Sequence, residues 1–522
     1  MKYILPIVLA IVFTLSMIIT FFSFSSKKRN AIQVVNEMGL GWNLGNTFEC
    51  YNTTVEINNP ENQITLWGNV VPTKEMVISI KKYGFKTIRL PVTWMHFMDE
   101  NGKVNSNWMN RVKEAVNWII KSKMYCILNV HNDGIWISKG IISKNKYVYL
   151  WTQIANEFKN YNEYLIFESM DEVLFSINYT TYDYITLLSF TQAFVDTVRN
   201  TGEKNGDRLL IISGMAADIS ATCSSEYKIP IDPSNKLAVT VHYYFPLQFC
   251  SEPDDNPWIT FDKGQYTEIT PLTHWGTEDN YKVLFNHFET LKKTFVDKGI
   301  PVIIGEIGVL TEQKKEPESI REYLFAEFSM SESYDGIMTC LWDTSKKTIG
   351  DMNYYDKEND RWYDEKIRDN FINISKGKFV KPTDYYYVTN IQNIYEIDSL
   401  GSMSINFGTK KVIKVYFNVK ISNISYSDTC FEIFSFNKNK EVIGQLVEGN
   451  LGNLQRYDHT YNYIIDVSDK DYNEIIQVSK KCNEVNNFEN NISFNYLRIE
   501  FEQSYTFFDY KKYKNAISNY NQ

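Results

Sequence analysis

The sequence predicts a (β/α)8 TIM barrel, of class α/β, followed by a C-terminal all-β sandwich, and three observations carry that prediction. From Met38 to Asp343 short apolar runs alternate with longer amphipathic stretches, the rhythm of repeated βαβ units. All eleven tryptophans lie between Trp42 and Trp362, so the composition changes after that point. Beyond Pro382 the chain becomes rich in Tyr, Asn and Ile with period-two alternation, the pattern of half-buried strands.

Taken in order, the chain of 522 residues begins with Lys2, an apolar run over 4–22, Ser23 and Ser25, and the basic cluster Lys27-Lys28-Arg29. This reads as a secretory signal over 1–25, cleaved after about Ser25. A retained anchor is the alternative, because the run approaches spanning length. The basic cluster after the run argues against it, since it would keep the catalytic chain inside.

The barrel domain is expected over 30–380. Its candidate strands are 38–42, 87–92, 125–131, 165–172, 209–213, 239–242, 301–306 and 336–342, which is the strand number of such a barrel. Between them lie helical patterns such as 108–121, with Trp108, Val112, Ala115, Val116 and Ile119 on one face. The sandwich is expected over 382–522, with the boundary near Lys381 and no Ser/Thr/Pro-rich linker, so the domains are expected to pack together.

A formal net charge of -9 gives no basic face for nucleic acid or anionic membrane. A neutral ligand fits better, and 15% aromatic residues supply faces on which sugar rings stack. Among seven cysteines there is no CxxC or Cys/His cluster, so no metal or cofactor is expected. Cys126 and Cys340 fall in strands and are expected as buried thiols; Cys223 with Cys250 and Cys430 with Cys482 are candidate disulfides. Glycosylation sequons begin at Asn52, Asn178, Asn373, Asn423 and Asn491.

Polar side chains gather at the C-terminal ends of the runs: Arg89, His131, Glu172, His242, Tyr244, Glu306 and Trp342. In a parallel barrel those ends share one cleft. Two carboxylates there, Glu172 and Glu306, can divide into a protonated acid and an ionised nucleophile, the pairing that cleaves glycosidic bonds.

The stretches 41–47 (GWNLGNT), 84–94 (GFKTIRLPVTW), 127–131 (ILNVH), 167–172 (FESMDE), 241–244 (VHYY), 304–308 (IGEIG) and 341–343 (LWD) together resemble the retaining glycoside hydrolases of family 5, the large cellulase family of clan A. The texture is closest to endoglucanases of anaerobic gut microbes, including gut fungi. The resemblance implies that Glu306 is the nucleophile and Glu172 the acid/base. It places Tyr244 and His242 beside them, His131 on the sugar before the scissile bond, and Trp342 beneath that sugar as a platform. Arg89 is the candidate to hold Glu306 anionic, its fork matching a carboxylate. Glu168 reads as structural. Trp42, Trp136, Trp275, His274 and His96 are looser candidates for the cleft.

Two departures stand out. Asp171 replaces the Asn that normally precedes the acid/base, and Asn132 replaces a second His. An Asn would donate to the sugar 2-hydroxyl, whereas an ionised Asp only accepts. A second negative charge beside Glu172 is expected to make the acid hold its proton more tightly. The leading reading is a secreted, monomeric endo-β-1,4-glucanase acting on cellulose or related β-glucans, with export expected from the leader. A xyloglucanase, lichenase or mannanase is the alternative on the same barrel, and a silent glycan-binding protein the alternative from another class. For the C-terminal region a carbohydrate-binding role is conceivable through Tyr385, Tyr386 and Tyr387.

Overall fold

Eight short parallel strands close on themselves because each is mostly apolar and has to be covered on both faces. They are β1 (Gly41–Asn43), β2 (Thr87–Leu90), β3 (Tyr125–Asn129), β4 (Leu165–Glu168), β5 (Leu210–Ser213), β6 (Leu237–Tyr243), β7 (Val302–Ile307) and β8 (Ile337–Leu341). In this computed structural model residues 28–378 are described apart from 55–56, 252–257, 263–264, 270–274, 277, 312–314 and 346–350; beyond 378 only the backbone of a set of strands is described. The strands neighbour one another in chain order, and β8 pairs with β1 through Gly41 opposite Cys340 and Trp42 opposite Leu341. All eight strands are buried throughout.

Two layers of core follow. Inside the barrel, Ile127, Ile166, Ile211, Ala238, Ile303, Met338 and Cys340 pack together. The helix Ala31–Met38 joins the same cluster with Val34, Val35 and Met38. Asn30 starts that helix with a capping box, its side chain accepting from the Gln33 amide while Gln33 reaches back. Outside, the strands pack on amphipathic helices such as Ser106–Lys121. Its face of Trp108, Val112, Ala115, Val116 and Ile119 is buried as the spacing predicts. The C-terminal ends of all eight strands therefore open onto one face, where the connecting loops converge.

Several expectations change. The run over 165–172 is a strand only to Glu168; Asp171 and Glu172 stand on the loop beyond it, where the Val173 amide turns back to the Asp171 carbonyl. Cys223 and Cys250 are both free thiols, so they form no disulfide, while Cys126 and Cys340 are buried free thiols. The side chains of Cys430 and Cys482, the leader over 1–25 and His274 lie outside the described residues. Among the described residues no helix is long and apolar enough to cross a membrane. The C-terminal strands form two four-stranded antiparallel sheets. In one, Tyr385–Thr389 pairs with Ile492–Phe501, followed by Val412–Ile421 and His459–Asp466. In the other, Met403–Ile405 pairs with Ile475–Cys482, followed by Thr429–Phe436 and Val442–Asn450.

Candidate active site

Arg89 organises the cleft. It projects from β2, is wholly buried, and must find partners for a charge that water cannot reach. Its guanidinium grips Glu168 with both arms, Nε to Oε2 at 2.9 Å and Nη2 to Oε1 at 2.7 Å. The same group donates to Glu306 Oε1 at 2.7 Å, to Asp171 Oδ1 at 2.7 Å and to Asn43 Oδ1 at 3.0 Å. Burial works against this charge, but Glu168, Glu306 and Asp171 hold it in place. Glu168 thus sits deep in the barrel as the bidentate anchor of the arginine.

Glu306, on β7, receives a second donor: the Tyr244 hydroxyl meets its Oε2 at 3.0 Å. Burial and the carboxylates of Glu306 and Glu172 push the Tyr244 phenol well above its ordinary range, so it stays a donor. Gly305 precedes the glutamate for a steric reason. A side chain there would meet Thr240 Oγ1 at 2.8 Å and His242 Nε2 at 3.1 Å, so only glycine lets the histidine approach.

His242 connects the two glutamates. Its Nδ1 lies 2.6 Å from Glu172 Oε1 and 3.5 Å from Glu306 Oε2. Burial disfavours the imidazolium, but Glu306, Glu172 and Asp171 overcome it and push the ring up to about 9. The Nδ1–H therefore donates to Glu172, while Nε2, which has no hydrogen-bond partner among the described residues, faces Asp171 Oδ1 at 3.8 Å. An oxygen of Glu172 and an oxygen of Glu306 lie within 4.8 Å of each other around this ring. Glu172 itself is 48% exposed, against 8% for Glu306.

Asp171 is turned toward the cations and not toward Glu172. Burial alone would raise it, yet His131, Arg89 and His242 hold it far below the usual carboxylate range. His131, 3.3 Å away, is pushed down, because burial lowers it more than Asp171 and Glu306 raise it. Asn129 Nδ2 approaches His131 Nδ1 at 3.2 Å, and the ring stacks on Trp342 with centroids 5.7 Å apart and 6° between planes. His131, Asp171 and Glu306 stand close enough together to offer ligand atoms to one metal ion. Arg89 already supplies the positive charge to two of the three.

A buried polar cluster supports the Trp342 platform. Lys357 Nζ donates to the Gly45 carbonyl at 2.6 Å and reaches the Asp343 carbonyl at 3.4 Å, so one ammonium joins the loops after β1 and β8. The Asp343 carboxylate accepts from Trp42 Nε1 at 2.9 Å and from the Tyr355 amide at 3.0 Å. Gly45 lets these loops touch: an added Cβ would lie 2.8 Å from the Asp343 carbonyl and 3.5 Å from Trp342 Cζ2.

The structure brings Glu172, Glu306, Arg89, His131, Asp171, His242, Tyr244 and Trp342 together. It moves the looser candidates elsewhere. Trp42 and Trp275 are core, and Trp136 is buried with its Nε1 donating to Asp133 at 2.6 Å. His96 accepts from the Asn52 amide at 3.2 Å on the wall of a separate cavity of about 1000 Å³. Asn132 ties the loop after β1 through its Nδ2 to the Glu49 carbonyl at 2.9 Å. Sequence reasoning misses Asn43 as a site residue although it stands in the first motif; besides meeting Arg89, its Nδ2 donates to the Gly305 carbonyl at 2.9 Å.

Residues 47–348 match the family model of Cellulase (glycosyl hydrolase family 5). Endoglucanase A of Clostridium longisporum is 33% identical over 380 residues, covering 69% of this chain and 69% of that protein. Among solved structures, a GH5-4 broad specificity endoglucanase from an uncultured bovine rumen ciliate is 60% identical with a TM-score of 0.65, covering 68% of this chain and 100% of that one. A family 5 lichenase from Caldicellulosiruptor sp. F32, solved as a complex with cellotetraose, is 29% identical with a TM-score of 0.60, covering 66% of this chain and 96% of that one.

Proposed function

The chain belongs to the cellulase family, glycosyl hydrolase family 5, and from that premise we propose that Glu306 and Glu172 hydrolyse a β-1,4-glucan by double displacement. The observation that carries the mechanism is the separation of under 4.8 Å between oxygens of the two carboxylates. Retaining glycosidases hold this pair about 5–5.5 Å apart, whereas inverting ones leave about 6.5–9.5 Å for a water. Glu306 attacks the anomeric carbon as the bond to the leaving oxygen breaks, and Glu172 gives that oxygen its proton. Water then attacks the same carbon, Glu172 takes the water's proton, and Glu306 leaves as a carboxylate.

The environments suit the two roles. Arg89 and Tyr244 hold Glu306 in one orientation and balance its charge when it is expelled. Glu172 has one link, to His242, and a solvent-facing half through which protons exchange. Trp342 and His131 offer the wall for the sugar before the scissile bond. Asp171 accepts from the 2-hydroxyl where an Asn would donate.

The chain is an endoglucanase of the glycoside hydrolase class. For its substrate we infer breadth, cellulose and mixed-linkage glucan together, because similar structures are described as a broad specificity endoglucanase and a lichenase. The mature enzyme is read as secreted and the two C-terminal sheets as one sandwich. Reducing-sugar release from carboxymethylcellulose, lichenan, xyloglucan and mannan, with Glu306→Gln as control, tests the activity. Proton NMR of the first product tests the stereochemistry: a β anomer supports double displacement and an α anomer overturns it. Sequencing the mature N-terminus tests cleavage after Ser25.

A further inference from the structure

Lys357 stands in the turn of a hairpin that pairs Tyr355–Asp356 with Arg361–Trp362, and it is buried although an ammonium is costly to take from water. Burial pushes it down to about 8, while Asp343, Glu49 and Cys50 each favour its charge. Neither carboxylate takes it as a partner. Asp343 is filled by Trp42 Nε1 and the amides of Ser345, Tyr354 and Tyr355, and Glu49 by the amides of Asn46 and Thr47. Among the described residues the ammonium donates to two carbonyls, Gly45 at 2.6 Å and Asp343 at 3.4 Å, and lies 5.5 Å from the centre of the Trp42 ring. A methionine would fill the same space with no charge to bury. What the charge adds is a tie between two loops.

Those two loops seat Trp342. The Asp343 carbonyl belongs to the residue directly after the tryptophan, and a Cβ on Gly45 would lie 3.5 Å from the indole Cζ2. The Lys357 amide adds a second hold on the loop after β8, donating to Ser345 Oγ at 2.9 Å. Trp342 stacks on His131, so a shift of either loop passes to the wall that faces the sugar. We propose that Lys357 is a positioning residue: by gripping the Gly45 and Asp343 carbonyls its ammonium fixes the tilt of Trp342, and so the hold on the sugar before the scissile bond. This rests on the hydrolase reading, with Trp342 as the platform. Loss of the ammonium proton releases the tie, so binding weakens as pH rises through about 8. The titratable groups facing it are Glu49 and Cys50 from the loop after β1 and Asp343 from the loop after β8. Burial keeps Cys50 a thiol, and Glu49, raised to about 7, ionises below that window and opposes the release.

A double-mutant cycle tests whether Lys357 acts through Trp342. An aryl β-cellobioside is assayed at about pH 6 with the parent, Lys357→Met, Trp342→Ala and the double variant. Lys357→Met should lower kcat/KM by about threefold to thirtyfold in the parent, chiefly through KM, and by under about twofold in Trp342→Ala. Equal losses in both backgrounds, or none in either, overturn the proposal. Should Lys357→Met fail to fold, a pH scan decides: from about pH 7 to 9.5 KM should climb in the parent and not in Trp342→Ala. A climb of the same size in both, or in neither, refutes it. Should the parent release no product, the hydrolase reading fails by itself. Calorimetric affinities for cellotetraose across the same four proteins then judge this one by the same non-additivity, and additive losses or no affinity in the parent overturn it.

Discussion

The two catalytic glutamates share one cleft and differ in almost everything else. Glu306 is 8% exposed, grows from the C-terminal end of a barrel strand, and has a donor on each oxygen. Glu172 is 48% exposed, stands on a loop, and has one hydrogen-bond partner among the described residues. The difference teaches that a nucleophile has to be held still and electrostatically supported, whereas an acid/base has to give its proton to the leaving group and then take one from an incoming water. Rigidity was built where the covalent bond forms.

Removing the nucleophile is the largest break in this comparison: Glu306→Gln should lower kcat on every substrate by about 10⁴-fold or more. Glu172→Gln should cost about 10²- to 10⁴-fold on glucan, with most of the loss disappearing on an aryl glycoside whose leaving group needs no proton. Equal losses on the two substrates would erase the division of roles. Next comes the support. Arg89→Lys keeps the charge but not the fork, leaving Glu168, Asp171 and Glu306 competing for one ammonium, and should destabilise the fold by about 3–5 kcal/mol in urea unfolding. A change under about 1 kcal/mol would mean that the cage is not a unit.

The smaller tests concern pH. His242 is raised in the folded state to about 9 from an ordinary 6.5, so its contribution to stability is full below about 6.5 and fades as pH climbs through about 9. Melting temperature should fall over that window in the parent and stay flatter in His242→Gln. Asp171→Asn removes one of the three carboxylates that sustain the imidazolium, so the fall should be smaller and should end at lower pH. An unchanged curve would show that Glu172 and Glu306 suffice.

The catalytic set was legible because its members stand at the ends of apolar runs, and short-range sequence records where strands stop. Arg89 could be paired with Glu306 for the same reason: an arginine inside such a run has to find a carboxylate. What the sequence hid depends on closure. That Asp171 turns to Arg89 and His242 follows from the loop after β4 bending at Val173, which no periodicity encodes. The inward packing of Trp42, Trp136 and Trp275, and the exposure of Trp67, are likewise decided by which elements meet in the fold. An indole reads the same in sequence whether it faces solvent or core. The eighth strand's pairing with the first was inferred from a count, and only the register of Gly41 with Cys340 makes it a bond.

Arg89 and Glu306 are 217 residues apart in sequence, and the arginine also touches Asn43 on β1 and Glu168 on β4. These contacts cannot assemble piecemeal, since loop-closure entropy has to be met before such distant groups meet. The catalytic centre therefore comes into being only when the ring of strands is complete. A chain stalled before its seventh strand has no nucleophile, so turnover in this enzyme reports a closed barrel.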